Sequence, residues 1–304
     1  MARIVFLGTP KSAVTTLETL AVRHEVALVI SQPDRPKGRS KKLQPPPIKE
    51  SAQRLDLEVA QPTSHAELLE TLVDAAPFDV GAVVAYGRII RPEALRVPEQ
   101  GYLNIHFSLL PRWRGAAPVS RALMAGDTMT GVTIIKLDEG LDTGPVLTAQ
   151  AVDVGTKENA GELTDRLATM GAHLLGESIV PYLSGDLVPI LQTDEGAIYA
   201  DKIETSDRPL RASYAVGAAV NRVRGLAPDP AATLNIDGEA HKVFEVVRAD
   251  ASPPQGRWQI VEGIPIVGLA DGGIELVTLQ PPGKTPMSGV DWARGRRESG
   301  GTVR

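Results

Sequence analysis

The apolar positions fall into two rhythms along the chain. Through the first half, short uninterrupted runs alternate with stretches of helical spacing. Ile4–Leu7 leads into Gly8-Thr9-Pro10 and a predicted helix over Ser12–Leu20, and Val26–Ile30 is a second apolar run. Predicted helices over Ile48–Leu55 and Ala66–Leu72 precede the run Val80–Ala85, and further strands fit Tyr102–His106, Val132–Lys136 and Val146–Ala151. Continuous apolar strands alternating with helices predict an α/β domain, Rossmann-like, with a mostly parallel sheet. In such sheets ligands bind beyond the carboxyl ends of the strands. Gly8, Gly87 and the segment from His106 onward lie at such ends.

Residues 160–183 place Leu163, Leu167, Met170, Leu174 and Leu175 on one helical face, and Gly185 with Pro189 stops the helix. A polar stretch without period follows, Gln192–Arg211. After a predicted helix over Tyr214–Arg224 come short β-rich runs: Thr233–Ile236, Lys242–Val247, Trp258–Val261, Ile266–Leu269 and Ile274–Leu279. Turn signals separate them at Asp237-Gly238, Glu262-Gly263 and Asp271-Gly272-Gly273. This rhythm predicts a small C-terminal β-barrel of the OB-like kind. The expected domains are 1–204, with a linker over about 185–210, and 205–304.

Composition narrows the chemistry. The chain has 304 residues, 42% of them hydrophobic, and no cysteine, which excludes disulfides, thiolate metal sites and a cysteine nucleophile. Met1–Gly8 has none of the features of a signal peptide, and no apolar run approaches the roughly 20 residues that span a membrane. A cytoplasmic protein is expected. The net charge is −5, but residues 205–304 carry +1. Screening confines a local basic cluster to about 8–10 Å, so whole-chain charge does not decide whether nucleic acid binds.

Three segments carry candidate chemistry. The first is Asn104-Ile105-His106-Phe107-Ser108-Leu109-Leu110-Pro111-Arg112-Trp113-Arg114-Gly115-Ala116-Ala117-Pro118. On a strand, Asn104 and His106 face the same side, where an amide and an imidazole can hold a developing oxyanion and move a proton. On spacing alone, His106 could equally cap the strand. The second is Asp138-Glu139-Gly140-Leu141-Asp142-Thr143-Gly144, a tight loop whose Asp142 either orients an imidazole or only closes an Asx-turn. The third is Gln32–Lys42, where Arg35, Lys37, Arg39, Lys41 and Lys42 are interrupted by Pro36 and Gly38. It is either a solvated face or a contact for a phosphate backbone. No dinucleotide fingerprint or P-loop is present, and His24, His65, His173 and His241 have no metal-ligand spacing.

Together these segments resemble the folate-dependent formyltransferase family. The shared features are Asn104 and His106 at a strand end, Ser108–Pro111, and Asp142 on a glycine-bounded loop. Ser108–Pro118, Gly131–Ile134 followed by Gly140–Gly144, and Gln32–Leu43 are similar to the branch that acts on methionyl initiator tRNA. So are Leu279-Gln280-Pro281, Gly283-Lys284 and Met287-Ser288. Arg208-Pro209-Leu210-Arg211 and Pro228-Asp229-Pro230-Ala231-Ala232 depart from that branch.

The resemblance implies 10-formyltetrahydrofolate as co-substrate, no metal, and no obligate protein partner. It implies Asn104, His106 and Asp142 as the catalytic set, and a folate site along Val84, Ala85, Tyr86 and Gly87 with Ser108, Leu109, Leu110 and Pro111. It further implies tRNA contacts by Arg35, Lys37, Arg39, Lys41 and Lys42. A sibling acting on an amino sugar or glycinamide ribonucleotide would share the catalytic set without needing the basic run. A non-catalytic tRNA-binding protein would have no use for that set.

Overall fold

The computed structural model describes residues 1–37 and 42–303. The chain divides into two compact units. One comprises Met1–Gly115, Thr130–Val152 and Thr164–Tyr199, the other Ala116–Met129, Asp153–Leu163 and Ala200–Arg304.

The strands of the first unit are β1 (Arg3–Gly8), β2 (Glu25–Ile30), β3 (Arg35–Lys37), β4 (Lys42–Gln44), β5 (Val59–Ala60), β6 (Val80–Val84), β7 (Tyr102–His106), β8 (Arg112–Arg114), β9 (Met129–Lys136), β10 (Val146–Asp153) and β11 (Ile198–Tyr199). Seven form one sheet in the order β10-β9-β7-β6-β1-β2-β5. The run from β7 through β6, β1 and β2 to β5 is parallel, and β9 joins β7 antiparallel. β6 and β7 are buried along their whole length, as expected of strands covered on both faces.

The helix Ala160–Ser184 covers one face of β7. Gly171 permits this, because a Cβ there would sit 2.6 Å from Cγ2 of Ile105. Ile105 therefore points toward the helix, and its neighbours Asn104 and His106 point to the opposite face.

The basic run departs from a plain loop: β3 and β4 pair as an antiparallel hairpin, with Arg35 opposite Gln44 and Lys37 opposite Lys42. Pro36 explains part of this, since the residue before a proline is held extended.

The second unit contains β12 (Ala232–Ile236), β13 (Glu239–Ala249), β14 (Arg257–Val261), β15 (Ile264–Leu269), β16 (Gly272–Gln280), β17 (Met287–Ser288) and β18 (Gly300–Thr302). They curl in the order β12-β13-β16-β15-β14-β18, with β17 on β16. The two ends of that order meet where Ile236 pairs with Val303. Asp237 secures this meeting. Its carboxylate accepts bonds from the indole N–H of buried Trp258 (3.0 Å), the backbone N–H of Thr302 (2.8 Å) and Arg296 (2.7 Å).

The helix near 214 runs over Val216–Leu226, because the Val216 N–H is capped by Asp271 Oδ1 at 2.6 Å. Its buried residues Val216, Ala219, Val223 and Leu226 recur at helical spacing. A helix not anticipated above, Pro118–Ala125, packs beside it. Its signals were present, with Pro118 in the first turn and Gly126 at the left-handed C-cap (φ 82°).

Candidate functional site

β6 and β7 are parallel neighbours, so their carboxyl ends open at the same edge of the sheet. Val84–Gly87 leaves the first and Ser108–Pro111 the second. Thr9, following β1, donates its hydroxyl to the Tyr86 carbonyl at 2.9 Å and so holds the first segment. Thr133 on β9 holds the second: its hydroxyl donates to the Ser108 carbonyl (2.7 Å) and accepts from the Leu110 N–H (3.1 Å). Ser108 in turn donates to the Arg112 carbonyl at 2.6 Å. Ala85 and Gly87 expose backbone at this edge, whereas Tyr86 is buried and burial pushes its hydroxyl pKa up.

His106 ends β7, is 5% exposed, and comes together with Asp142: Nδ1 lies 3.5 Å from Asp142 Oδ2. Its Nε2 is 2.7 Å from the Trp113 carbonyl. A carbonyl only accepts, so Nε2 carries the hydrogen, and Nδ1 faces the carboxylate. That carboxylate also accepts the Gly115 N–H at 2.8 Å. The backbone from Trp113 to Gly115 thus contacts both members of the pair. Asn104, two residues before His106 and 9% exposed, presents its amide on the same face of β7.

Trp113 (φ 65°) and Asp142 (φ 54°) hold left-handed backbone without being glycine, as does Ala85 (φ 47°) in the first segment. Such residues are uncommon, and they concentrate where a fold over-determines a site. The Asp142 loop is seated by close approach at Gly144, where a Cβ would overlap the Lys136 carbonyl.

Sequence reasoning missed the support of this loop. The Gln192 side-chain amide donates to the carbonyls of Asp142 (2.8 Å) and Gly144 (2.7 Å). Its oxygen accepts from Arg114 at 3.0 and 3.2 Å. Arg114 is 2% exposed and also bonds Asp194 (2.9 Å) and the Thr193 carbonyl (3.2 Å). Burial opposes its charge, but its bonds to Asp194 and Tyr199 outweigh that and raise its pKa. Gln192 lay in a stretch without periodicity, and no spacing rule links it to residue 142. Arg114 belonged to a motif but had no role without its partners.

The basic run is rooted beside the same edge. Lys49 binds both Asp34 oxygens at 2.9 Å and Gln61 at 2.7 Å, and Gln61 donates to the Gln32 carbonyl at 2.8 Å. Gln61 and Lys49 hold the Asp34 carboxyl below its ordinary range. A cavity of about 370 Å³ lies between this root and the Ala85–Gly87 segment, lined by Thr9, Gln32, Arg35, Tyr86 and Gly87 among others. Arg35 and Lys42 are exposed on β3 and β4, and Lys37 pairs through its backbone. Arg39 and Lys41 lie outside the described residues. Among the described residues no cluster of His, Asp or Glu could hold a metal ion, and no helix is long and apolar enough to cross a membrane.

Comparison with known proteins identifies the family. Residues 2–179 match the formyl transferase family, and residues 202–297 match the formyl transferase C-terminal domain. The methionyl-tRNA formyltransferase of Halorhodospira halophila (strain DSM 244 / SL1) is 44% identical over 303 residues, covering 97% of each chain. That of Jannaschia sp. (strain CCS1) is 42% identical, covering 99% of each. Among solved structures, the N-formyltransferase from Helicobacter canadensis, in complex with folinic acid and dTDP-3-aminofucose, shares the fold. Its TM-score is 0.67 at 17% identity, over 92% of this chain and 100% of that one.

Proposed function

The chain belongs to the formyl transferase family, and from that membership and the site geometry we propose that it transfers the formyl group of 10-formyltetrahydrofolate to the α-amine of methionyl initiator tRNA. The observation that carries the chemistry is the His106–Asp142 contact at the sheet edge, with Asn104 on the same strand face. Full-length similarity to methionyl-tRNA formyltransferases supports the acceptor.

The amine attacks the formyl carbon, a C–N bond forms, and the carbonyl electrons move to oxygen. The Asn104 amide and the Nε2–H of His106 donate to that oxyanion. At rest this N–H donates to the Trp113 carbonyl; a charged oxygen is the stronger acceptor and displaces the carbonyl as its partner. Collapse breaks the bond to the folate nitrogen, which leaves with a proton from His106. Asp142 orients the imidazole, takes the proton lost by the amine, directly or through water, and passes it to Nδ1 of His106, 3.5 Å away, as Nε2 gives up its own. The segment Val84–Gly87, through its exposed residues Ala85 and Gly87, binds the pterin edge of the folate together with Ser108–Pro111. The cavity beside Gln32 and Arg35 receives the acceptor end, with Arg35, Lys37, Arg39, Lys41 and Lys42 on its phosphates.

The test is labelled formyl transfer to charged initiator tRNA, run beside an amino-sugar nucleotide as competing acceptor. Formyl-methionine should form, and His106→Ala should lower turnover at least about 10²-fold, the scale of one lost oxyanion donor. Near wild-type turnover in that variant, or preference for the sugar amine, would overturn the proposal.

A further inference from the structure

A catalytic carboxylate on a loop needs its backbone fixed as well as its side chain. Asp142 sits in a left-handed conformation that a non-glycine residue seldom holds unaided (φ 54°). The Gly115 N–H fixes its Oδ2. One side chain fixes its backbone: the two amide hydrogens of Gln192 reach the carbonyls of Asp142 and Gly144, on either side of Thr143.

The orientation of that amide is determined. Arg114 has only donors, so the Gln192 oxygen must face the guanidinium and the NH₂ must face the loop. Arg114 is itself buried and anchored on Asp194 and Thr193. It also stands between Trp113, whose carbonyl holds His106, and Gly115, whose N–H holds Asp142. Resting on the formyl-transfer reading, we propose that Gln192 is a positioning residue for the reaction. With Arg114 behind it, it holds the Asp142 carboxylate at His106 without touching either substrate.

The discriminating variant is Gln192→Glu. It keeps an acceptor for Arg114, but turns toward the loop an oxygen that repels the carbonyls of Asp142 and Gly144. A misplacement of about 1 Å at a catalytic group can cost on the order of 10²-fold in turnover. Wild type, Gln192→Glu, Asp142→Asn and the double variant are assayed for formyl transfer. Thermal melting and folate binding serve as folding controls. The expected result is a kcat lowered roughly 10- to 100-fold in Gln192→Glu, with KM for folate and for acceptor unchanged. Because Gln192 acts through Asp142, the double variant should be no slower than Asp142→Asn alone. Should the glutamate prevent folding, Gln192→Met removes the donor without adding charge and gives the same test. A normal kcat in the folded variant, a rise confined to KM, or additive losses in the double variant would overturn the inference while leaving formyl transfer standing. A wild-type protein that transfers no formyl group would overturn both.

Discussion

Thr133 ties the strand that carries Asn104 and His106 to the proposed folate segment, and replacing it gives a quantitative test of both proposed roles. It lies opposite His106 in the register of β7 and β9 and is fully buried. Thr133→Val keeps the side chain's shape and removes both of its bonds, to the Ser108 carbonyl and the Leu110 N–H. A buried polar group left unpaired costs about 1–3 kcal/mol, so two give roughly 2–6 kcal/mol. Ser108 is fully buried but Leu110 is only half-buried, so losing the partner of the Leu110 N–H is expected to cost less than losing that of the Ser108 carbonyl. That places the expected loss in the lower part of the range, about 2–4 kcal/mol. Urea unfolding of the variant measures it, with Thr133→Ser, which keeps the hydroxyl, recovering most of the loss. The same change should raise KM for the folate donor and leave KM for the acceptor unaltered, since the loosened segment is proposed to line the donor site. A loss within about 0.5 kcal/mol, the usual range for exposed substitutions, would refute the reasoning. So would an equal rise in both Michaelis constants.

Four further outcomes are expected. Gly144→Ala should push the Asp142 loop off the Lys136 carbonyl and lower kcat; steady-state kinetics with unchanged turnover would count against close approach there. Asp237→Ala strips the Trp258 indole, the Thr302 N–H and Arg296 of their acceptor, and should cost about 1–3 kcal/mol in urea unfolding. Asp207 is held below its ordinary value of 3.8, chiefly by the two-pronged bond from Arg121 at 2.9 and 3.0 Å. The folded state therefore binds this proton more weakly than the unfolded state. Its stabilising contribution is complete above 3.8 and is lost as pH falls through the lower, folded value. The stability gap between wild type and Asp207→Asn should accordingly close on acidification; a constant gap in urea midpoints would contradict it. Finally, Arg39→Ala should raise KM for charged tRNA and reduce the salt slope of its binding by roughly 0.7–0.9, with folate binding intact; an unchanged slope would reduce the basic run to a solvated surface.

Much of the architecture was legible in order along the chain, because strands and helices follow from periods of two and 3.6 that each element carries within itself. The continuous apolar runs at Ile4–Leu7 and Val80–Ala85 became central parallel strands, and the alternating C-terminal runs became the curled antiparallel sheet. Asn104 and His106 shared a face by strand geometry alone, and a glycine-bounded Asp142 stood out as a candidate partner. What the sequence could not supply was contact between residues distant in the chain. That Asp142 meets His106 rather than closing an Asx-turn depends on how the loop after β9 folds back over β7. That Trp113 and Gly115 grip the pair, and that Gln192 and Arg114 hold the loop across 78 residues of sequence, depends on hydrogen bonds between backbone groups and side chains that no local period records. Local patterning sets which element forms and which face is apolar; only packing decides which loops converge and which polar groups find partners there.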